Sequence, residues 1–500
     1  MPIPKHIQIP TKITTPTRKL PPENNHVSAP TFFFYDLETS GLSGGDDRIM
    51  QFAGQRTDLD LNLIGDPVNI LVRLDDDTLP SPSAILTTGI TPQKTLEDGI
   101  PERKLAKILA EDIFTPDTII LGFNSIRFDD KFIQHLFWRN FYDPYEWQWK
   151  DGRSRWDMLD VVRLTRSIRP EGINWPIADN GKPTNRLELI TKANNISHES
   201  AHDALSDVNA LIDVTRLIRD RQPKLFAYLL KLRDKKEVKT IVNPDKPRPF
   251  VYASGRFGTT YNFTTVCTPI CAGKNGSCLV FDLRYNIDEL LEELKKQAPD
   301  YLTNSDIKLR DFLFPKFKEL AYNRCPAVAP ISVLNSQNAW EKIELTEEQI
   351  NKNIESLQKH PEIIERIKSE NLADKYDKPP LDAETSLYDG FTPDNDRIRI
   401  TAVRSMDADS LADFHPNFTD ERLPELLLHY KAKNFPNALA EDEAQKWQAY
   451  RASRLNRQAP IFLAELEKYR QDPTTTQDPD KTFLLDELML WYQSLQDNDY

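Results

Sequence analysis

Phe32-Phe33-Phe34-Tyr35 leaves the chain little freedom: four consecutive large apolar side chains read as a buried strand, and Asp36 and Glu38 follow directly at its end. On a strand, side chains two apart share a face, so these two carboxylates point the same way. A second apolar strand, Thr118-Ile119-Ile120-Leu121-Gly122-Phe123-Asn124, leads to Phe128-Asp129. A third segment, His202-Asp203-Ala204-Leu205-Ser206-Asp207, opens an amphipathic helix running through Val208, Leu211, Val214 and Leu217. Strands alternate with helices from about Ala29 to Arg221, the pattern of an α/β domain.

Carboxylates converging from separate elements repel one another and are normally kept together by cations. Oxygen-only ligation favours Mg²⁺ or Mn²⁺, so the pattern points to metal-dependent phosphodiester chemistry. Five residues of regular helix turn through about 140°, which would separate His202 from Asp207. His202 is therefore expected at the helix start or in the preceding loop, its ring turned back towards the metals. An imidazole with an ordinary pKa of about 6.5 can take a proton from water near neutral pH. Singly these parts are common; in this order, each on its expected element, they are specific. Asp46, Asp47, Asp130, Asp203 and Asp213 read as solvated or capping residues, and His198 as a surface residue.

Five hundred residues predict two or three domains, and 39% hydrophobic residues supply ample core. No apolar run of about twenty residues predicts a membrane span. The N-terminus, rich in Pro, Thr and Lys, lacks the apolar core of a secretory signal and reads as a disordered tail, so a cytoplasmic protein is expected. Cys267, Cys271, Cys278 and Cys325 do not follow the paired spacing of zinc sites and are expected as reduced thiols. A net charge of −13 argues against indiscriminate adhesion to nucleic acid but allows a local basic channel. Lys150, Arg153, Arg155, Arg163, Arg166, Arg169, Lys182, Arg186 and Lys192 are interleaved with Trp147, Trp149, Trp156 and Trp175, as a single-strand site requires.

Further strands are expected over residues 49–57 and 61–74, and helices over 105–114, 132–141, 156–168 and 187–193. A basic stretch at 231–239 and a proline-rich one at 243–249 separate this domain from a β-rich module with strands in 251–265 and 277–283. Helices are expected at 312–322 and 346–369, a second linker at Lys378-Pro379-Pro380, and helices at 422–434, 441–455, 461–470 and 482–496.

The Asp-x-Glu, Asp, His-x₄-Asp constellation resembles the DEDD superfamily of 3′→5′ exonucleases in its histidine-containing branch. The likeness is closer to bacterial exodeoxyribonuclease I, carried by Leu86-Thr87-Thr88-Gly89-Ile90-Thr91-Pro92, Asn140-Phe141-Tyr142-Asp143-Pro144-Tyr145 and Arg169-Pro170-Glu171-Gly172-Ile173-Asn174-Trp175-Pro176. Leu187-Glu188, Thr191-Lys192-Ala193-Asn194, Arg221-Gln222-Pro223, Leu225-Phe226, Arg324-Cys325-Pro326 and Asn434-Phe435-Pro436 extend it. The resemblance implies a tail at 1–28, a ribonuclease H-like exonuclease domain (a mixed sheet flanked by helices) at 29–221, an SH3-like β module with helical additions at 222–377, and a helical C-terminal domain at 378–500. Together these would enclose a channel for single-stranded DNA.

The family also implies two Mg²⁺ ions, replaceable by Mn²⁺, held by Asp36, Glu38, Asp129 and Asp207, with His202 as general base. It implies processive release of 5′-mononucleotides in DNA repair and recombination. Thr39, Thr88, Gly89, Ile90 and Arg186 are expected against the substrate, with an apolar side chain of the Thr88–Thr91 turn wedged beside the last base. Arg169 and Tyr228 are expected around the acidic C-terminal tail of single-stranded DNA-binding protein. A channel formed within one chain favours a monomer. Enzymes of the superfamily that trim RNA are typically much shorter, and a non-catalytic binding protein would not be expected to keep all five active positions.

Overall fold

The aromatic run forms the middle of a sheet because both of its faces are covered. The structure, a computed structural model, describes residues 29–198, 203–301, 304, 307–314, 316–373 and 382–497. β1 (Thr31–Thr39) pairs antiparallel with β2 (Ile49–Thr57), which pairs antiparallel with β3 (Leu63–Leu71). On its other side β1 runs parallel to β4 (Thr118–Gly122), and β4 parallel to β5 (Ser154–Asp157), giving the mixed order β3-β2-β1-β4-β5. Three short helices, α1 (Pro82–Thr88), α2 (Pro92–Asp98) and α3 (Glu102–Ile108), precede β4; α3 runs on into a π-helical turn, Leu109–Ile113. The helices that frame the site are α4 (Asp129–Arg139), α5 (Met158–Ile168), α6 (Leu187–Ala193) and α7 (Ala204–Arg221).

Alternation along β1 sorts its side chains by face. Phe32 and Phe34 pack with Val208 and Leu211 of α7, whereas Phe33, Tyr35 and Leu37 pack with Leu105, Phe132 and Leu136 of α3 and α4. Asp36 and Glu38, at even positions, therefore belong to the α7 face. The helix expected from Trp156 begins at Met158 instead. Trp156 belongs to β5 opposite Leu121, and the Asp157 carboxylate caps α5 by accepting from Leu159 N at 3.0 Å.

The second sheet is wholly antiparallel, β10-β6-β7-β8-β9, built from β6 (Phe250–Ala253), β7 (Thr264–Ala272), β8 (Ser277–Asp282), β9 (Phe317–Ala321) and β10 (Ala327–Pro330). The helix expected over 312–322 is only partly present. Residues 309–313 are helical, but Phe317–Ala321 closes the free edge of β8, with Phe317 opposite Phe281. The basic stretch at 231–239, expected to separate the first domain from the β module, falls largely within two helices. Helices Pro223–Lys231 and Lys235–Ile241 bury Phe226, Leu229 and Val238 in one hydrophobic core shared by the first domain and the β module. The four cysteines are free thiols, and burial pushes that of Cys278 up to about 11.

The C-terminal part is helical, with long helices Glu441–Gln471 and Pro479–Asp497. The expected break between 455 and 461 is absent, since Pro460 lies inside a continuous helix whose Phe462 and Leu466 pack beneath Met50, Ile85 and Ile90. The proline-rich linker expected at 378–380 lies outside the described residues. No helix among the described residues is long and apolar enough to cross a membrane.

A buried ionic network joins this part to the first domain. Arg48 Nη2 lies 2.5 Å from Glu384 Oε2, and Lys433 Nζ sits 2.7 Å from Glu384 Oε1 and 2.9 Å from Asp77 Oδ2. Burial opposes the charge on Glu384, but Lys433 and Arg48 hold its carboxyl well below the usual range. Glu384→Ala leaves buried Arg48 and Lys433 to share Asp77, one carboxylate short, so we expect a loss of about 3–5 kcal/mol. A lower urea midpoint, with earlier tryptic cleavage between the first and last domains, would register it; an unchanged midpoint would mean the network is replaceable.

Candidate active site

The four acidic residues arrive on three elements. Asp36 and Glu38 leave the α7 face of β1 at its carboxyl end, where ligands gather in open α/β sheets. Asp203 caps α7, its carboxylate accepting from Ser206 N at 3.0 Å, and this sets Asp207 in the first turn, above the strand end. Ligand atoms of Asp36, Glu38 and Asp207 all lie within 4.8 Å of one another. Asp129 opens α4, one turn of loop beyond β4. That loop is held by Asp157, whose Oδ1 accepts from Asn124 N at 3.0 Å and whose Oδ2 accepts from Ile126 N at 3.3 Å. Asn124 takes a left-handed φ of 68°, a conformation asparagine tolerates better than most residues.

The electrostatics are those of a site short of positive charge. Burial, then Asp207, raises the Asp36 carboxyl well above its ordinary range. Burial, then Asp36 and Asp207, pushes Glu38 up to about 9. Asp129 is likewise raised by burial and then by Asp36. The four carboxyls line one low-dielectric space and together offer an oxygen donor set that fits a hard divalent cation.

These four line a cavity of about 580 Å³ with Arg163, Arg186 and, from the β module, Thr259 and Phe263. Asp160 is buried and braces Arg163, accepting from Nη1 at 2.6 Å, while the guanidinium stands 5.6 Å from the Phe263 ring centroid. A second cavity of about 710 Å³ shares Glu38 and Phe128 with the first and runs between α1 and helix Glu441–Gln471, past Thr39, Thr88, Arg457 and Ile461.

The expected residues fare unevenly. Thr39 and Thr88 line the second cavity, and Gly89 caps α1 with a left-handed φ of 69° that favours glycine. Ile90 does not flank an open site: it is 6% exposed and packs with Leu79 and Leu488 in the core beneath the C-terminal helices. Arg186 lines the first cavity and pairs with Glu188. His202 lies outside the described residues. Arg169 and Tyr228 both sit on the seam with the β module, Arg169 donating to Val333 O and Ser336 Oγ, Tyr228 to Val328 O.

Two expectations are corrected. Asp130 is not solvated: it is buried, takes a hydrogen bond from Tyr35 Oη at 2.5 Å and pairs with Arg155. His198 is not a surface residue, because its ring is 4% exposed and its Nε2 lies 2.5 Å from Asp207 Oδ1. The basic run also disperses. Arg153 donates to Phe114 O, Arg155 serves Asp130 and Arg166 donates to backbone carbonyls, while Trp147 and Trp156 are core. Of that run Arg163 and Arg186 line the first cavity. Phe263 was missed, and no local signal marks it, since it reaches the site only through packing of the β module.

Family models match in three consecutive stretches: Exonuclease over residues 33–215, Exonuclease I SH3-like domain over 233–370 and Exonuclease I C-terminal domain over 381–495. Exodeoxyribonuclease I of Haemophilus influenzae is 37% identical over 444 residues, covering 88% of this chain and 93% of that protein. The crystal structure of E. coli exonuclease I in complex with a dA16 oligonucleotide superimposes with a TM-score of 0.85 at 34% identity, covering 93% of this chain and 100% of that one. A crystal structure of SSB/exonuclease I with the inhibitor CFAM gives a TM-score of 0.84 at 34% identity, covering 93% and 100%. With three family models matched in succession along most of its length and a relative 37% identical over 88% of it, the chain belongs to the exodeoxyribonuclease I family.

Proposed function

We propose that this chain is a 3′→5′ exodeoxyribonuclease that removes 5′-mononucleotides one at a time from single-stranded DNA, processively, with Mg²⁺ held by Asp36, Glu38, Asp129 and Asp207. The observation that carries the reading is the buried cluster of acids at the end of β1, opening into a cavity walled by a second domain. When bound, a pair of divalent cations supplies a water of lowered pKa and positive charge for the leaving 3′ oxygen. Everything else is work for side chains. Asp157 keeps the Asp129 loop in register with β1. Arg163, braced by Asp160, and Arg186 face the phosphates. The Phe263 ring offers a stacking surface for a base, which is tolerant of sequence because every base has a flat face. His202 takes the proton of the attacking water at its imidazole, a role typically worth about 10²–10⁴-fold.

A path bounded by Thr259 and Phe263 on one side and the acids on the other favours one strand over two. The E. coli structure with an oligonucleotide supports the same substrate class. The SSB/exonuclease I structure supports a partnership with single-stranded DNA-binding protein, whose acidic C-terminal tail would meet the seam near Arg169 and Tyr228. The enzyme would act as a cytoplasmic monomer in DNA repair and recombination.

The test uses 5′-labelled single-stranded DNA, its duplex and matched RNA, in Mg²⁺ and in EDTA, with Asp207→Ala alongside. Shortening of the single strand alone, dependent on Mg²⁺ and abolished by the substitution, is the expected result. Preferred trimming of RNA would move the chain to the ribonucleases of the superfamily. Binding without cleavage would remove the catalytic reading.

A further inference from the structure

We propose that His198 is a positioning residue for Asp207: it fixes the plane of that carboxylate against Asp36 and Glu38 and so tunes how tightly the cluster holds a divalent cation. The inference rests on the cation-holding role proposed above for Asp207. His198 follows α6, four residues before His202 in sequence, yet its surroundings are those of an interior group. Its side chain is 4% exposed, Nε2 lies 2.5 Å from Asp207 Oδ1, and Nδ1 lies 3.2 Å from Thr191 Oγ1. Thr191 is itself fully buried, and its hydroxyl reaches Glu188 O at 2.9 Å. The loop is tied back as well, Ile196 N donating to Thr191 O at 3.0 Å.

A chain of contacts therefore runs from the α6 backbone through Thr191 and His198 to an acid of the cluster. Against a carboxylate, Nε2 must act as the donor. A carboxylate with one oxygen engaged by a fixed N–H can no longer rotate freely, so its remaining lone pairs keep one direction. Carboxylate ligands oriented in this way by an outer hydrogen bond typically lose about 10–100-fold in metal affinity when the orienting group is removed. Both ring nitrogens of His198 are occupied and the ring is enclosed, which separates its task from the proton transfer assigned to His202.

Mn²⁺ binding to the full chain, followed by the electron paramagnetic resonance signal of the free ion, is the direct readout. His198→Ala should weaken Mn²⁺ binding about 10–100-fold, while leaving binding of single-stranded DNA in EDTA unchanged. His198→Gln, whose amide N–H can replace Nε2–H, should recover most of the loss; His198→Asn, too short to reach, should not. In turnover assays the KM for DNA should hold, with the lost kcat returning at saturating Mn²⁺.

Mn²⁺ affinity of His198→Ala within threefold of the parent would overturn the inference. So would equal losses in the Gln and Asn variants, and that comparison decides the matter even if the Ala variant does not fold. Asp207→Asn separates the two levels. If it binds Mn²⁺ normally, the cation site itself is wrong; if it binds weakly while His198→Ala binds normally, the role of His198 alone fails.

Discussion

Asp36→Ala will stop the enzyme, lowering the single-turnover rate by more than about 10⁴-fold, the upper end of what a general base usually contributes. His202→Ala should fall within about 10²–10⁴. The difference follows from where Asp36 stands. Among neighbouring charges it is the largest influence on both Glu38 and Asp129, and Asp207 is the largest on Asp36 itself. The charge of Asp36 thus bears on both Glu38 and Asp129, so its loss should disturb the placement of the cations proposed for the site. Removing a base leaves that placement intact. Rapid-quench measurement on 5′-labelled single strands at saturating Mg²⁺ would compare the two; a residual rate in Asp36→Ala at or above that of His202→Ala would contradict that influence.

Glu38→Gln will make the cation-free protein more stable, and the gain will grow with pH. In the folded chain Glu38 ionises only near about 9, because burial and then Asp36 and Asp207 oppose its charge. An unfolded chain releases the same proton near 4.5. Between those values the folded state binds the extra proton, so stability falls as pH rises from about 4.5 towards 9. By pH 7, 2.5 units above the unfolded value, the cost is about 3 kcal/mol. The amide carries no charge and avoids it. Thermal melts in EDTA should therefore show the two proteins alike near pH 4.5 and the variant higher at pH 8. Adding Mg²⁺ should reverse the order, since the parent gains a ligand-bound state and the variant gains less. Parallel pH profiles in EDTA would mean that Glu38 is ionised in the free site.

Both predictions describe one compromise. The acids that fit the site to a cation are a burden on the fold without one.

Periodicity within single elements was legible for the strand and helices that carry the acids, though not for residues 312–322. Alternation in Phe32 to Glu38 marked a strand with both carboxylates on one face, and that face is the one covered by α7. The apolar spacing after Asp203 located the helix that brings in Asp207, and the strand before Phe128-Asp129 located α4. Order along the chain was enough to assemble the acids in outline. Tertiary structure alone decided which partner each polar group finds. Ile90 sits in a turn motif that looks exposed, but two distant C-terminal helices bury it. A run of arginines that reads as a phosphate track is largely spent on Asp130 and on backbone carbonyls. Phe317–Ala321 is a strand because β8 had an edge to fill, and His198 is interior because Thr191 and Asp207 close on it from two helices. The physical reason is common to all four. Periodicity reports the face a residue presents, whereas what covers that face, and which hydrogen-bond and charge partners it meets, depends on groups that lie far away in sequence and come near only on folding.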